Sequence, residues 1–243
     1  DVERIRLVEA ARREVPSDRL LLAGVGVEST RATVRLAQQA AAAGADAVLV
    51  VSPHYYTSAM TARALLDHFH RVADESPVPV VLYNIPKYVG FTIAPTLVGE
   101  LAEHKNIIGI KDSSGDIDLL TVYINKQTDA FSVLTGSGSL FCSSLQSGAR
   151  GGILAVALFA PELTLSIYRS IMDGDLPSAA SLQARLTPMA TEIVGTMGVP
   201  GVKSAMDAIG LAGGPVRAPL LPLSQPEGRR VRALLREGIT AAV

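Results

Sequence analysis

Cysteine is almost absent from this chain. Cys142 stands alone among 243 residues, so no internal disulfide is possible and a reducing compartment is expected. Leu140, Phe141, Ser144 and Leu145 surround it at helical spacing, which makes Cys142 small core filler. An excess of one charge is lacking too. Lys and Arg number 22 against 23 Asp and Glu, a formal net charge of -1, which offers nothing to nucleic acid or to an anionic membrane. The longest apolar run, Gly151 to Ala160, is too short to span a bilayer and stops at Pro161. The four histidines fall at no ligand spacing, and His68 and His70 point to different sides of one helix, so no metal site is expected. No Gly-x-Ser-x-Gly elbow occurs. Gly24-Val25-Gly26 lacks the third glycine of a dinucleotide fingerprint, and no acidic residue ends the following strand. A nucleotide site is therefore disfavoured.

What is present is a 48% hydrophobic chain, enough for one soluble α/β domain with a sizeable core. Strands are read at 20–24, 47–51, 78–83, 106–111, 132–135 and 152–156. They are continuous apolar runs, as expected when both faces of a sheet are covered. Helices fall between them and over 1–15, and only helical patterns follow residue 160, at 160–172, 178–195, 201–209 and 226–237. One junction repeats: Ala43-Gly44-Ala45-Asp46-Ala47 resembles Ser147-Gly148-Ala149-Arg150-Gly151. Regular strand–helix units give either a doubly wound sheet or a (β/α)8 barrel. Polar residues cluster after the strands, at Ser52 to Tyr56, Tyr83-Asn84, Lys111 to Ser114 and Gly136 to Ser139, where a barrel keeps its active site.

Two of these strand ends carry chemistry. Asn106-Ile107-Ile108-Gly109-Ile110 runs into Lys111, and Val78-Pro79-Val80-Val81-Leu82 runs into Tyr83. Of the five lysines, only Lys111 ends an apolar strand, and lysine is rarely buried without a reason. It either emerges into water, pairs with Asp112, or shares a pocket with Tyr83. An amine beside a phenol is the starting material for carbonyl chemistry through a Schiff base. In the strand, Ile107, Gly109 and Lys111 are expected on one face, with Gly109 leaving room below the lysine stem. Gly136-Ser137-Gly138-Ser139 either holds an anion on its N–H groups or forms a tight turn and helix cap.

Tyr83-Asn84-Ile85-Pro86 together with Gly109-Ile110-Lys111-Asp112-Ser113 resembles the dihydrodipicolinate synthase and N-acetylneuraminate lyase family of class I aldolases. The resemblance covers essentially the whole chain. It implies a (β/α)8 TIM barrel lacking its first two strands, with 1–159 forming the family's third to eighth strand units. Residues 160–243 would form C-terminal helices packed on the same domain. The family's Gly-Thr-Thr/Ser-Gly-Glu motif is not found here and the chain starts inside a helical pattern, so an N-terminal truncation is expected. The resemblance implies Lys111 as the imine-forming residue and Tyr83 as proton shuttle. Pro53-His54-Tyr55-Tyr56 matches a family motif whose aromatic, Tyr55 here, completes the relay from a neighbouring subunit. Ser113, Asn84, Gly136 and Leu154 would shape the substrate pocket, although for Ser113 and Asn84 a plain strand-end turn is an equal reading.

Within the family, the runs Leu22 to Thr30, Lys111 to Asp116, Pro200 to Lys203 and Gly213 to Leu220 resemble the 4-hydroxy-2-oxoglutarate aldolases most. The expected reaction is cleavage of 4-hydroxy-2-oxoglutarate to pyruvate and glyoxylate. Alternatives are 4-hydroxy-tetrahydrodipicolinate synthesis, another pyruvate-dependent lyase acting on sialic acid or a 2-keto-3-deoxy sugar acid, and a non-catalytic barrel fragment. The synthases usually carry an Arg two residues after the Pro of Tyr-Asn-x-Pro to clamp the second substrate's carboxylate. Tyr88 stands there in this chain, and a neutral phenol cannot form a guanidinium's bidentate pair. No cofactor or metal is required, because the lysine supplies the electrophile. The expected partners are a small 2-oxo acid and further copies of the chain, as a dimer or tetramer, with no nucleic acid and no membrane. A cytoplasmic location is expected, or the mitochondrial matrix in a eukaryote.

Overall fold

The computed structural model describes residues 2–239 and divides the chain into two compact units, 1–134 and 135–243. The first unit opens with helix α1 (Val2–Glu14), followed by β1 (Leu22–Gly24), α2 (Thr30–Ala42), β2 (Ala47–Val51), α3 (Ala62–Glu75) and β3 (Val80–Asn84). It continues with α4 (Pro86–Val89), α5 (Pro95–Leu101), β4 (Ile107–Asp112) and α6 (Ile117–Ile124), and ends within β5 (Ser132–Thr135), whose last residue opens the second unit. The first four strands pair in parallel, and β1 to β5 neighbour one another in chain order. A doubly wound sheet reverses its strand order at a switch point. This one does not, which is the order of consecutive barrel units.

The core of the first unit lies between sheet and helices. Val48, Val50, Val80, Leu82, Ile107 and Ile110 meet Leu36, Phe69, Leu101 and Tyr123 there. Helix caps follow the chemistry of the sequence. The Ser29 hydroxyl accepts from Ala32 N–H, Thr61 from Ala64 N–H, and Asp116 from Asp118 and Leu119, each satisfying first-turn donors.

The second unit holds α7 (Phe141–Gln146), β6 (Gly151–Gly152), α8 (Pro161–Met172), α9 (Leu176–Pro188), α10 (Gly198–Ala208) and α11 (Gln225–Ile239). Its own core includes Phe141, Phe159, Ile167, Leu186, Met189, Ile193 and Leu234. Cys142 is buried in that core, and burial pushes its thiol up from the ordinary value.

The repeated junction has one physical cause. Gly44 (φ 97°) and Gly148 (φ 106°) both take the left-handed conformation just past a helix. Ala45 N–H reaches Ala40 O and Ala149 N–H reaches Ser144 O, at 3.0 Å each, so α2 and α7 end in the same Schellman cap.

Three sequence expectations change. The first strand begins at Leu22 rather than at residue 20, and Leu20 is 87% exposed. The sixth strand is Gly151–Gly152 alone, because the chain coils into a 3-10 turn at Ala155–Leu158. The helix read over 178–195 starts at Leu176, where Asp175 caps it, and changes at Pro188 into a π-helix over Met189–Thr196. Proline has no N–H to continue the α-helical ladder.

Candidate active site

Lys111 and Tyr83 are register partners across β3 and β4. In a parallel pair such residues project to the same face, and the Lys111 Nζ lies 4.2 Å from the centre of the Tyr83 ring. Both side chains are half-buried. The next pair, Asn84 and Asp112, projects to the opposite face and is buried.

The faces of β4 depart from regular alternation. The β3–β4 register slips between Val80 and Val81: Val80 pairs with Ile107, but Val81 pairs with Gly109. Ile108 is therefore an extra residue, a β-bulge. Gly109 and Lys111 share a face, while Ile107 lies on the core face with Ile110. The bare Cα of Gly109 has a second consequence. A Cβ there would stand 2.4 Å from the Ser132 carbonyl oxygen, so the glycine permits β5 to come close.

Asp112 does not pair with Lys111. Its Oδ1 accepts from Asn84 Nδ2 at 2.6 Å and its Oδ2 from the Ser114 hydroxyl at 2.6 Å, while Ser114 N–H also reaches Oδ1 at 3.2 Å. Burial pushes the Asp112 carboxyl up; the bonds from Ser114 and Asn84 pull it back, and nearby Asp116 adds to the rise. Asn84 spends its other amide atom too, with Oδ1 accepting from Ile93 N–H at 3.0 Å, and its carbonyl takes Ser113 N–H at 2.8 Å. The Tyr123 hydroxyl donates to Ile93 O at 2.5 Å, and burial first, then the Asp112 charge, raises its pKa. Both polar atoms of the Asn84 side chain are thus bonded in the protein interior.

The segment after β2 forms a second locus. Ser52 is buried with its hydroxyl oxygen unpartnered. Beyond it, Glu28 Oε2 accepts from the backbone N–H of His54 (3.0 Å) and Tyr55 (2.9 Å), and Oε1 lies 3.1 Å from His54 Nδ1. Slight burial opposes the lowering of Glu28's pKa, but these donors outweigh it. Tyr55 itself is 77% exposed and packs edge-on against Tyr56, ring centres 5.0 Å apart. Tyr88 is 66% exposed, with Lys87 Nζ 5.6 Å from its ring centre.

Gly136 and Leu154 belong to the second unit. Around them Ser137 N–H bonds the Thr135 hydroxyl, Gln183 bonds the carbonyls of Gly138 and Ser139, and Leu154 is buried in that unit's core. Among the described residues no cluster of His, Cys, Asp or Glu could hold a metal ion, and no helix is long and apolar enough to cross a membrane.

Sequence reasoning found the amine and the phenol but missed Asp112, Ser114 and Glu28 as organising groups. The only signal was their adjacency: Asp112 directly follows the lysine, and Glu28 follows the glycine turn after β1.

Known proteins resemble this chain in sequence and in fold. A 4-hydroxy-tetrahydrodipicolinate synthase from Methanothrix thermoacetophila is 37% identical over 221 residues, which span 90% of this chain and 74% of that protein. The dihydrodipicolinate synthase of Thermotoga maritima superimposes with a TM-score of 0.92 at 28% identity, over 98% of this chain and 81% of that one. An Escherichia coli prophage protein of the dihydrodipicolinic acid synthase family, solved in complex with pyruvate, gives a TM-score of 0.89 at 30% identity, over 97% and 80%. The family model of the dihydrodipicolinate synthetases matches residues 1–238, and the chain belongs to that family.

Proposed function

We propose that the chain is a class I aldolase acting on a 2-oxo acid, with Lys111 as the imine-forming residue. The observation that carries this is the amine held 4.2 Å over the Tyr83 ring at paired ends of two apolar strands. The neutral Lys111 amine adds to the ketone carbon of the substrate to give a carbinolamine. Proton transfer through the Tyr83 hydroxyl lets water leave, and a protonated imine forms. That imine accepts the electron pair of the bond one carbon further out as it breaks, while the hydroxyl on the departing carbon gives up its proton and becomes the aldehyde carbonyl. The resulting enamine takes a proton on carbon, and water hydrolyses the iminium to release the 2-oxo acid and the free amine. Tyr55, exposed on its own subunit, would join this relay from a neighbouring copy in a dimer or tetramer, and Ser113 would line the pocket at the end of β4. A cytoplasmic location fits this chemistry.

For the substrate we propose 4-hydroxy-2-oxoglutarate, cleaved between C3 and C4 to pyruvate and glyoxylate. Tyr88, in place of a carboxylate-clamping Arg, supports this reading. The competing reading, 4-hydroxy-tetrahydrodipicolinate synthesis, is favoured by the activity for which similar proteins are named.

Incubation with pyruvate and borohydride should leave one reduced adduct, on the peptide holding Lys111. Adducts elsewhere, or none, defeat the Schiff-base reading. Pyruvate release from 4-hydroxy-2-oxoglutarate, compared with formation of 4-hydroxy-tetrahydrodipicolinate, then decides the substrate.

A further inference from the structure

We propose that Asp112 is a positioning residue for the Lys111–Tyr83 pair, acting by clamping Asn84 across the strand gap. This rests on the imine reading above.

Ile108 bulges out of β4, so the pairing of β3 with β4 changes by one residue partway along the ladder. A slip of one residue turns every side chain beyond it to the other face, which would carry Lys111 into the core and away from Tyr83. The bulge leaves the C-terminal end of the ladder to be held by contacts made there. Besides the resumed backbone ladder, those contacts include the Asn84–Asp112 side-chain pair, buried and bonded at 2.6 Å, one residue past both reactive side chains. The clamp is tied outward at each end. Ser114 closes the turn after β4 onto Asp112 through its hydroxyl and N–H, and Ile93 N–H fixes the other side of the Asn84 amide. A buried carboxylate accepting several bonds makes stronger hydrogen bonds than a neutral group, and removing it leaves Asn84 with an unpaired buried donor. Such sites need their reacting groups held to within about 0.5 Å of the productive geometry.

The test compares Asp112→Ala, Asp112→Asn, Asn84→Ala and the double Ala variant by the single-turnover rate of borohydride-trapped pyruvate adduct, with kcat, KM and a thermal melt. Asp112→Ala is expected to slow adduct formation and kcat by about 10–100-fold, in the range that small misplacement of reacting groups costs, with little change in KM. Asp112→Asn should recover most of the rate, because its amide oxygen still accepts from Asn84 and the Ser114 hydroxyl can turn to accept. The double variant should be no slower than either single one, since both remove the same contact. Should Asp112→Ala fail to fold, Ser114→Ala removes one tie to the same carboxylate and is expected to slow adduct formation severalfold. Wild-type rates in the folded fraction of Asp112→Ala or of Ser114→Ala, with only the melt lowered, overturn the proposal and leave the imine reading standing. A wild-type chain that traps nothing on Lys111 overturns the imine reading, and this one with it.

Discussion

Tyr83 has a ring and a hydroxyl, and only the hydroxyl moves protons. Tyr83→Phe keeps the ring beneath the Lys111 amine and deletes the group proposed to carry the proton. General acid–base groups contribute typically about 10²–10⁴-fold, so kcat should fall by about that factor while the far-ultraviolet spectrum and melt stay unchanged. Turnover equal to wild type would make the phenol a packing residue. Lys111 was legible in the sequence because a charge at the end of a fully apolar run stands out. Asp112 was not, because an acid beside a lysine reads first as its ion pair. Strand geometry forbids that pair: neighbours in a strand project to opposite faces, and the acid turned to Asn84 and Ser114. Asn84, read as a pocket residue or a turn, spends its side chain inside the protein.

At the scale of the element, β4 is the strand on which the proposed site depends, and Gly109 is where it lies against β5. A methyl group there would meet the Ser132 carbonyl oxygen at 2.4 Å, and backbone cannot step aside as a side chain can. Gly109→Ala should therefore push β4 and β5 apart. Overpacking costs typically ~1–3 kcal/mol, and each kcal/mol lowers the melting temperature of a chain this size by about 2–4 °C. A melt within one degree of wild type would show that the strands absorb the methyl. Strand positions were readable from apolar runs alone. The bulge at Ile108 was not, because an extra residue in a run of isoleucines leaves the hydropathy pattern unchanged. The short β6 was overread for the same reason: Ile153 to Val156 is apolar enough for a strand, but the chain coils before it can pair.

At the scale of the whole molecule, acid stability carries a signature from His68. It is 5% exposed on α3, its Nδ1 lies 2.9 Å from the Thr30 hydroxyl, and its Nε2 has no partner. Burial lowers its pKa to about 4, against an ordinary value near 6.5. Above about pH 6.5 the ring is neutral whether folded or unfolded, and stability is unaffected. As pH falls from there toward 4, the unfolded chain gains the proton first, so the folded state loses stability, on the order of 3 kcal/mol in all. Urea unfolding at several pH values should show that decline, and His68→Leu should flatten it by up to one proton. An unchanged slope in the variant would mean that the ring titrates normally.

Assembly gives a second test at this scale. If Tyr55 acts from a neighbouring subunit, Tyr55→Phe and Lys111→Ala should each be nearly inactive. Refolding the two together should restore turnover, because mixed assemblies contain sites with both residues intact. No recovery in verified mixed assemblies would place Tyr55 outside the relay.

The sequence alone determined the class of fold, the positions of most strands and helices, and the two side chains proposed for the imine chemistry. These depend on local pattern: apolar runs, capping residues, and a charge where charge is costly. Even the Gly44 and Gly148 caps were visible, as a repeat, before their shared geometry was known. Only the tertiary structure decided which side chains share a face and what holds them there. The Ile108 bulge, the closeness of β5 to Gly109 and the Asn84–Asp112 clamp join residues about 23 to 28 positions apart in the chain. Their identities follow from strand register, a property of two strands together that no single stretch of sequence contains.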